Sequence, residues 1–339
     1  MSVQAVETDV LVIGAGPVGL FTVFQLGMVR LRCVVVDALE AIGGQLSALY
    51  PEKPIYDIPG FPSVLAADLV ARLEQQMAPF APDLRLSTTV DALTRQDDGR
   101  WLAVLSNGDS VLAPAVIIAA GAGAFGPNRP PLDGLTAYEG KSVFYLVSRR
   151  ADFAGKKVVI AGGGDSAVDW ALSLSEIAEK VSVVHRRPKF RAAPESEAKL
   201  KALAAAGTID LVIPYQLHGL HGADGRLTGV DVATLDGQVK TLPADVLLPF
   251  FGLASNLGPI AQWGLEMQGA TVTVNPATQA TTQPGIFAVG DICRYPGKMK
   301  LILQGFSEAA VAAHAAYSVV HPGEALHFQH STSVGVPVA

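Results

Sequence analysis

Cysteine is almost missing from this chain: its 339 residues include only Cys33 and Cys293, and these form no C-x-x-C pair. That excludes a disulphide framework and a local redox dithiol. It fits a reducing compartment, so a cytoplasmic location is expected. Both cysteines read as small buried hydrophobes flanking strands. Basic excess is also lacking, since the formal net charge is −6, which argues against a general nucleic-acid binder. Uninterrupted apolar runs of the ~20 residues needed to span a bilayer are absent, so no membrane partner is expected. The apolar stretch Val10–Leu26 is broken by Gly14 and Gly16 and preceded by Glu7 and Asp9, which is wrong for a secretory leader. The seven histidines lack ligand spacing such as H-x-x-x-H, so no metal site is nominated. Half of the residues are hydrophobic, enough for large cores and roughly two domains.

What the chain does have is two strand–glycine–helix fingerprints. Asp9-Val-Leu-Val-Ile runs into Gly14-Ala-Gly16-Pro-Val-Gly19, and Lys157-Val-Val-Ile-Ala runs into Gly162-Gly-Gly164-Asp165-Ser166-Ala167. Glycines there make the tight turn, let the backbone approach a pyrophosphate and allow close helix–strand packing. The phosphates then meet a helix N-terminus, whose free N–H groups and dipole favour negative charge. The two copies end differently. Asp37 stands 23 residues beyond Gly14, whereas His185 stands 23 residues beyond Gly162 and is followed by Arg186, Arg187 and Arg191. An acid in that position accepts ribose hydroxyls, while forked guanidinium groups pair a 2′-phosphate. The first site therefore reads as one for a dinucleotide with a free ribose, such as FAD, and the second as one for NADP(H).

The order of elements predicts an α/β fold of two Rossmann-like, doubly wound, three-layer nucleotide-binding domains, one inserted into the other. Residues 1–117 and 251–322 form the expected FAD-binding domain, and 118–250 the NADP-binding domain. Helical spacing marks Asp68–Met77, Glu195–Ala205 and Gln304–Val320. A hairpin is expected around Asn107–Gly108, with further turns at Asp224–Gly225 and Asp236–Gly237. The Gly- and Pro-rich excursion from Gly43 to Pro62 reads as ordered loop near a ligand. Two Gly-rich crossings between the domains suit a hinge. Residues 323–339 lack periodicity but cluster His327, Phe328 and His330, leaving a solvated terminus or a functional extension open.

Taken in order, Gly14–Gly19, Gly43-Gly44-Gln45, Gly60-Phe61-Pro62, Gly162–Ala167, His185-Arg186-Arg187 and Phe287–Asp291 resemble the thioredoxin-reductase-like flavoproteins over nearly the whole chain. One departure selects the branch. Thioredoxin reductases carry a C-x-x-C shortly before the second fingerprint, where this chain has Tyr145-Leu-Val-Ser-Arg-Arg150. With that loss, the C-terminal extension and the segment Ile292–Lys300, the chain is similar to the ferredoxin–NADP⁺ reductases of thioredoxin-reductase-like type. The resemblance implies a homodimeric FAD enzyme in which the extension of one subunit covers the flavin of the other.

It also implies roles for particular residues. Gln45 and Tyr50 match flavin contacts, Tyr50 laying its ring on the isoalloxazine. Val90 matches a backbone contact to adenine and Phe125 a flavin-proximal contact, although plain packing stands beside both readings. His330 would cover the ring face opposite Tyr50, with Thr332 hydrogen-bonding nearby. From the residues themselves, Asp291 after Gly290 is placed to accept ribityl hydroxyls. The expected activity is NADPH:ferredoxin (or flavodoxin) oxidoreduction. No side chain is nominated as an acid–base catalyst, because the cofactors carry such chemistry. A flavin oxidase or quinone-type reductase, and a non-enzymatic FAD- and NADP-binding redox sensor, remain as alternatives. Arg149, Arg150, Arg294, Lys298 and Lys300 are candidates for meeting an acidic partner.

Overall fold

The computed structural model describes residues 5–326 and 335–336, with the side chains of 124–127 and 253–255 left aside. Its helices are α1 (Pro17–Met28), α2 (Gln45–Leu49), α3 (Ala66–Met77), α4 (Asp165–Leu174), α5 (Pro194–Ala205) and α6 (Ile302–Val320). The chain divides into two compact units: 1–125 with 255–339, and 126–254.

In the first unit a five-stranded sheet runs in the order Ile286–Ala288, Ala115–Ile118, Val10–Ile13, Cys33–Val36, Asp83–Arg85. Every pairing in it is parallel, with Ile13 level with Val36 and Ile118. The strands are unbroken apolar runs because both of their faces are covered. Val10, Val12, Val35 and Ile117 face Leu20, Val23 and Leu26 of α1, Leu69 and Leu73 of α3, and Ala312, Ala313 and Ala316 of α6. Their neighbours Leu11, Ile13, Val34, Val36, Val116 and Ile118 face the other way, onto Trp101, Ala103, Leu105, Val111 and Ala113. The covering layer on that side is a four-stranded sheet, Val6–Glu7, Ser110–Ala113, Trp101–Leu105, Val90–Arg95, not a second helical layer. Its hairpin turns at Asn107–Gly108, where Gly108 has φ +89°.

The second unit repeats the plan. Strands Ile209–Val212, Lys180–Val184, Lys157–Ala161 and Val246–Pro249 pair in parallel, in that order. One face packs on Val168, Ala171 and Leu174 of α4 and Leu200 of α5. The other packs on Leu227, Val230, Val232 and Leu242 of an antiparallel sheet, Gln216–Ala223, Arg226–Ala233, Val239–Pro243.

The glycine turns are imposed by sterics. Gly14 has φ +110°, and a Cβ there would collide with the Ala119 carbonyl oxygen; Gly162, with φ +157°, meets Phe250 in the same way. Each turn therefore passes beneath the end of the neighbouring parallel strand, leaving the crevice above the strand ends open. The excursion from Gly43 to Pro62 is not all loop. It contains α2 and a short strand, Pro54–Ile55, paired with Val64–Leu65. Five helical residues are too few to print a periodicity in the sequence.

Candidate functional site

A cleft of about 320 Å³ lies in the first unit at the carboxyl ends of its parallel strands. One wall is the first fingerprint: Gly14, Gly16, Pro17 and Val18 at the start of α1. Gly16 is the residue before the helix; among the described residues no side chain caps it, and a Cβ on it would meet nothing within 4 Å. Gly19 lies inside α1, where a Cβ would strike the Gly14 carbonyl oxygen; it closes the helix onto the turn.

Asp37 follows the second strand and lines the same cleft. Its Oδ2 accepts the Ala15 N–H at 2.6 Å and its Oδ1 the Leu39 N–H at 2.8 Å. Burial raises the pKa of this carboxyl, opposed by those two bonds. Among the described residues, two acceptor positions of this carboxylate stay free for ligand hydroxyls. Backbone bonds from Asp37 N–H to the Arg85 carbonyl and from Thr88 N–H to the Asp37 carbonyl bring Thr88, Thr89 and Val90 beside it.

Elsewhere on the cleft wall stand Gln45, Tyr50, Gly290 and Asp291. Gln45 opens α2 after Gly44, and Tyr50 closes that helix. The Tyr50 phenol is pushed up by burial and by the charge of Asp291, which places the two groups within electrostatic reach. Phe125 lies in the crossing strand Ala124–Pro127; its ring is not among the described side chains. His330 and Thr332 lie outside the described residues.

The second fingerprint builds a companion site in the other unit. Gly164 precedes α4, again without a side-chain cap among the described residues, and Asp165 and Ser166 open the helix. The arginine-bearing loop is pinned back to this turn. Arg191 N–H donates to the Gly163 carbonyl at 2.6 Å, and Asp165 Oδ1 accepts the Ala193 N–H at 2.9 Å. Asp165 thus holds the loop through its carboxylate. Arg186, Arg187 and Arg191 are exposed. His185 is stacked on Phe190 at 5.0 Å and fills the space that a Cβ on Gly163 would need. Burial lowers its pKa, as do the three arginine charges, so the ring is neutral near pH 7 and the arginines carry the positive charge.

A pyridine nucleotide–disulphide oxidoreductase family profile matches residues 8–316. The chain is 72% identical over 331 residues to the ferredoxin–NADP reductase of Paramagnetospirillum magneticum, covering 98% of each. It is 65% identical to that of Rhodospirillum rubrum over 98% of this chain and 97% of the relative.

The chain belongs to that oxidoreductase family, in its ferredoxin–NADP reductase branch.

Among solved structures, T. acidophilum thioredoxin reductase superposes with a TM-score of 0.78 at 23% identity, over 92% of this chain and 98% of that one. That likeness shows the fold, two Rossmann-like α/β units. The chain carries no C-x-x-C pair to match the disulphide in that family's description. Cys33 and Cys293 are both buried free thiols, each pushed up to about 12 by burial, with Asp9 adding to it at Cys33 and Glu308 at Cys293. Thiols held that far above neutrality are poor nucleophiles.

The cleft residues fit FAD. A glycine turn open at Gly16, an uncapped helix start and a half-satisfied Asp37 carboxylate meet a pyrophosphate and a ribose, and Tyr50 with Asp291 offers a ring and an acceptor. Several lining residues carry no motif: Leu39, Thr88, Thr89, Asn256 to Ile260, and Trp263. They arrive through loop positions far apart in the sequence. Of the candidate docking residues, Arg149 pairs with Asp152 and Arg150 with Glu176. Lys298 is committed to the buried Glu308, while Arg294 and Lys300 are exposed on a second cavity.

Proposed function

We infer that this chain is an NADPH:ferredoxin oxidoreductase with FAD and NADP(H) as cofactors. The observation that carries this reading is a pair of glycine turns with opposite endings. Asp37 is pinned beside the first, and an arginine loop is tied to the second. Bound in this cleft, FAD would supply the chemistry that links two-electron oxidation of NADPH to a one-electron acceptor. The protein's part is to bind, orient and exclude water.

In this reading residues 1–117 and 251–322 hold FAD and residues 118–250 hold NADP(H). Gly14, Gly16 and Gly19 admit the pyrophosphate, Asp37 takes the adenosine ribose and Val90 borders the adenine. Gln45, Tyr50, Phe125 and Asp291 address the flavin end. Gly162, Gly164 and Ser166 receive the second pyrophosphate, with Asp165 holding the loop from which Arg186, Arg187 and Arg191 meet the 2′-phosphate. His330 and Thr332, in the extension 323–339, cover the flavin of a partner subunit in a homodimer. Arg294 and Lys300 help to dock ferredoxin, and the enzyme works in the cytoplasm. The two lone cysteines, held as high-pKa thiols, speak against a disulphide acceptor. The name shared by the relatives favours ferredoxin over oxygen or a quinone.

Steady-state oxidation of NADPH with ferredoxin, oxygen, a quinone or thioredoxin as sole acceptor tests the assignment. Ferredoxin should give the highest kcat/KM. Faster turnover with any of the others would overturn it.

A further inference from the structure

Behind the Gly290–Asp291 turn lies an ion pair that the cleft itself does not require. Glu308, on the buried stripe of α6, is 2% exposed, and Lys298, at 2.6 Å from it, is 6% exposed. Both carboxylate oxygens are used. Oε1 accepts from Lys298 Nζ and from Tyr295 Oη, both at 2.6 Å. Oε2 accepts the Gly290 N–H at 2.7 Å, and the Cys293 thiol shares its one hydrogen between the Gly290 carbonyl at 3.2 Å and Oε2 at 3.4 Å. Gln304 extends the network, donating to Tyr295 Oη at 2.7 Å and accepting the Met299 N–H at 2.8 Å.

Stability alone does not explain such an arrangement, because a buried ion pair roughly breaks even against a well-packed apolar pair. What the network grips is specific. Gly290 has φ +79°, its amide is held by Glu308, and the next side chain, Asp291, lines the cleft with Tyr50. The carboxylate therefore sits one backbone amide behind the cleft wall, where low dielectric lets a charge be felt.

We propose that Glu308 and Lys298 are a positioning pair for the Tyr50 end of the cleft. Glu308 fixes the Gly290–Asp291 turn so that Asp291 meets the flavin's ribityl chain, and Lys298 cancels the charge of that carboxylate behind the wall. The proposal rests on reading this cleft as the FAD site.

Reduction brings electrons into the cleft, so an unpaired cation behind its wall favours reduction and an unpaired anion opposes it. The experiment measures the flavin midpoint potential of the FAD-loaded protein and the FAD affinity of the deflavinated protein. The variants are Glu308→Gln, Lys298→Met, the double variant and Tyr295→Phe. Glu308→Gln should raise the potential and Lys298→Met lower it, while the double variant, which keeps an acceptor for Gly290, returns close to the parent. Releasing the charged bond to Gly290 should weaken FAD binding to Glu308→Gln by about tenfold or more. Should the single variants fail to fold, Tyr295→Phe carries the test: it strips one donor from Glu308 and should lower the potential by less than Lys298→Met. Potentials that do not move, or that move the same way in both single variants, overturn the proposal, as does an unmoved potential in Tyr295→Phe. A parent protein that takes up no FAD would instead overturn the reading of the cleft, and the proposal with it.

Discussion

Arg186 and Arg187 stand exposed on a loop whose backbone is tied to the second glycine turn, so their forks are available to a nucleotide held there. Charge-assisted hydrogen bonds are worth about 1.5–3 kcal/mol, and about 1.4 kcal/mol is a factor of ten. Replacing both by Ala should weaken NADPH binding at least about tenfold and leave NADH nearly unchanged, as read by titration; equal losses would remove the 2′-phosphate from the account. His185 gives a test of sign. Burial and the neighbouring arginines hold its pKa below the ordinary value, so as pH falls below about 6.5 the unfolded chain takes up more protons than the folded one. Its contribution then makes the fold less stable toward acid, and its ring should titrate by NMR below about 6.5. A midpoint above that would contradict the packing described. Asp37 was legible in the sequence because its distance from Gly14 is set by one strand–helix–strand unit. Its two backbone bonds were not, since they depend on how Ala15 and Leu39 curl back toward it.

At the scale of elements, the two fingerprint units could be read directly, because glycine spacing and unbroken apolar strands are local signals. The covering sheets were half legible. The hairpin at Asn107–Gly108 announces itself through its turn, but nothing local says that Trp101–Ala113 stacks on the back of the parallel sheet. α6 carries a signal that its neighbours disguise. Gly305, Ala309, Ala312, Ala313 and Ala316 form its buried stripe at helical spacing, and Glu308 falls on that stripe. An acid among small buried residues marks a buried partner, and the partner, Lys298, lies ten residues earlier in a Gly-Pro loop. The contact between Gly163 and His185 gives this scale its own prediction. Gly163→Ala drives a methyl group into the imidazole and should cost about 1–3 kcal/mol by thermal melting. NADPH binding should fall with it, while FAD content stays at the parental level. A variant with unchanged melting and NADPH affinity would show that the ring has room to move.

For the whole molecule, FAD and NADP(H), and no thiol, are the proposed carriers of electrons. Changing Cys33 to Ala and Cys293 to Ser should therefore leave NADPH-to-ferredoxin turnover near the parental rate, with some loss of melting temperature from two buried sites. Loss of electron transfer in a folded, FAD-replete double variant would reopen disulphide chemistry. The extension after Pro322 belongs to the same scale. Truncation there should change flavin fluorescence and hydride-transfer rate more than melting temperature, and unchanged spectra and rates would make it a solvated terminus. The most direct measurement is anaerobic stopped-flow mixing of the purified, FAD-loaded protein first with NADPH and then with oxidised ferredoxin. Flavin absorbance should bleach rapidly with NADPH and more slowly with NADH, then recover as ferredoxin is reduced. A flavin that NADPH does not bleach, or that ferredoxin does not reoxidise, would contradict it.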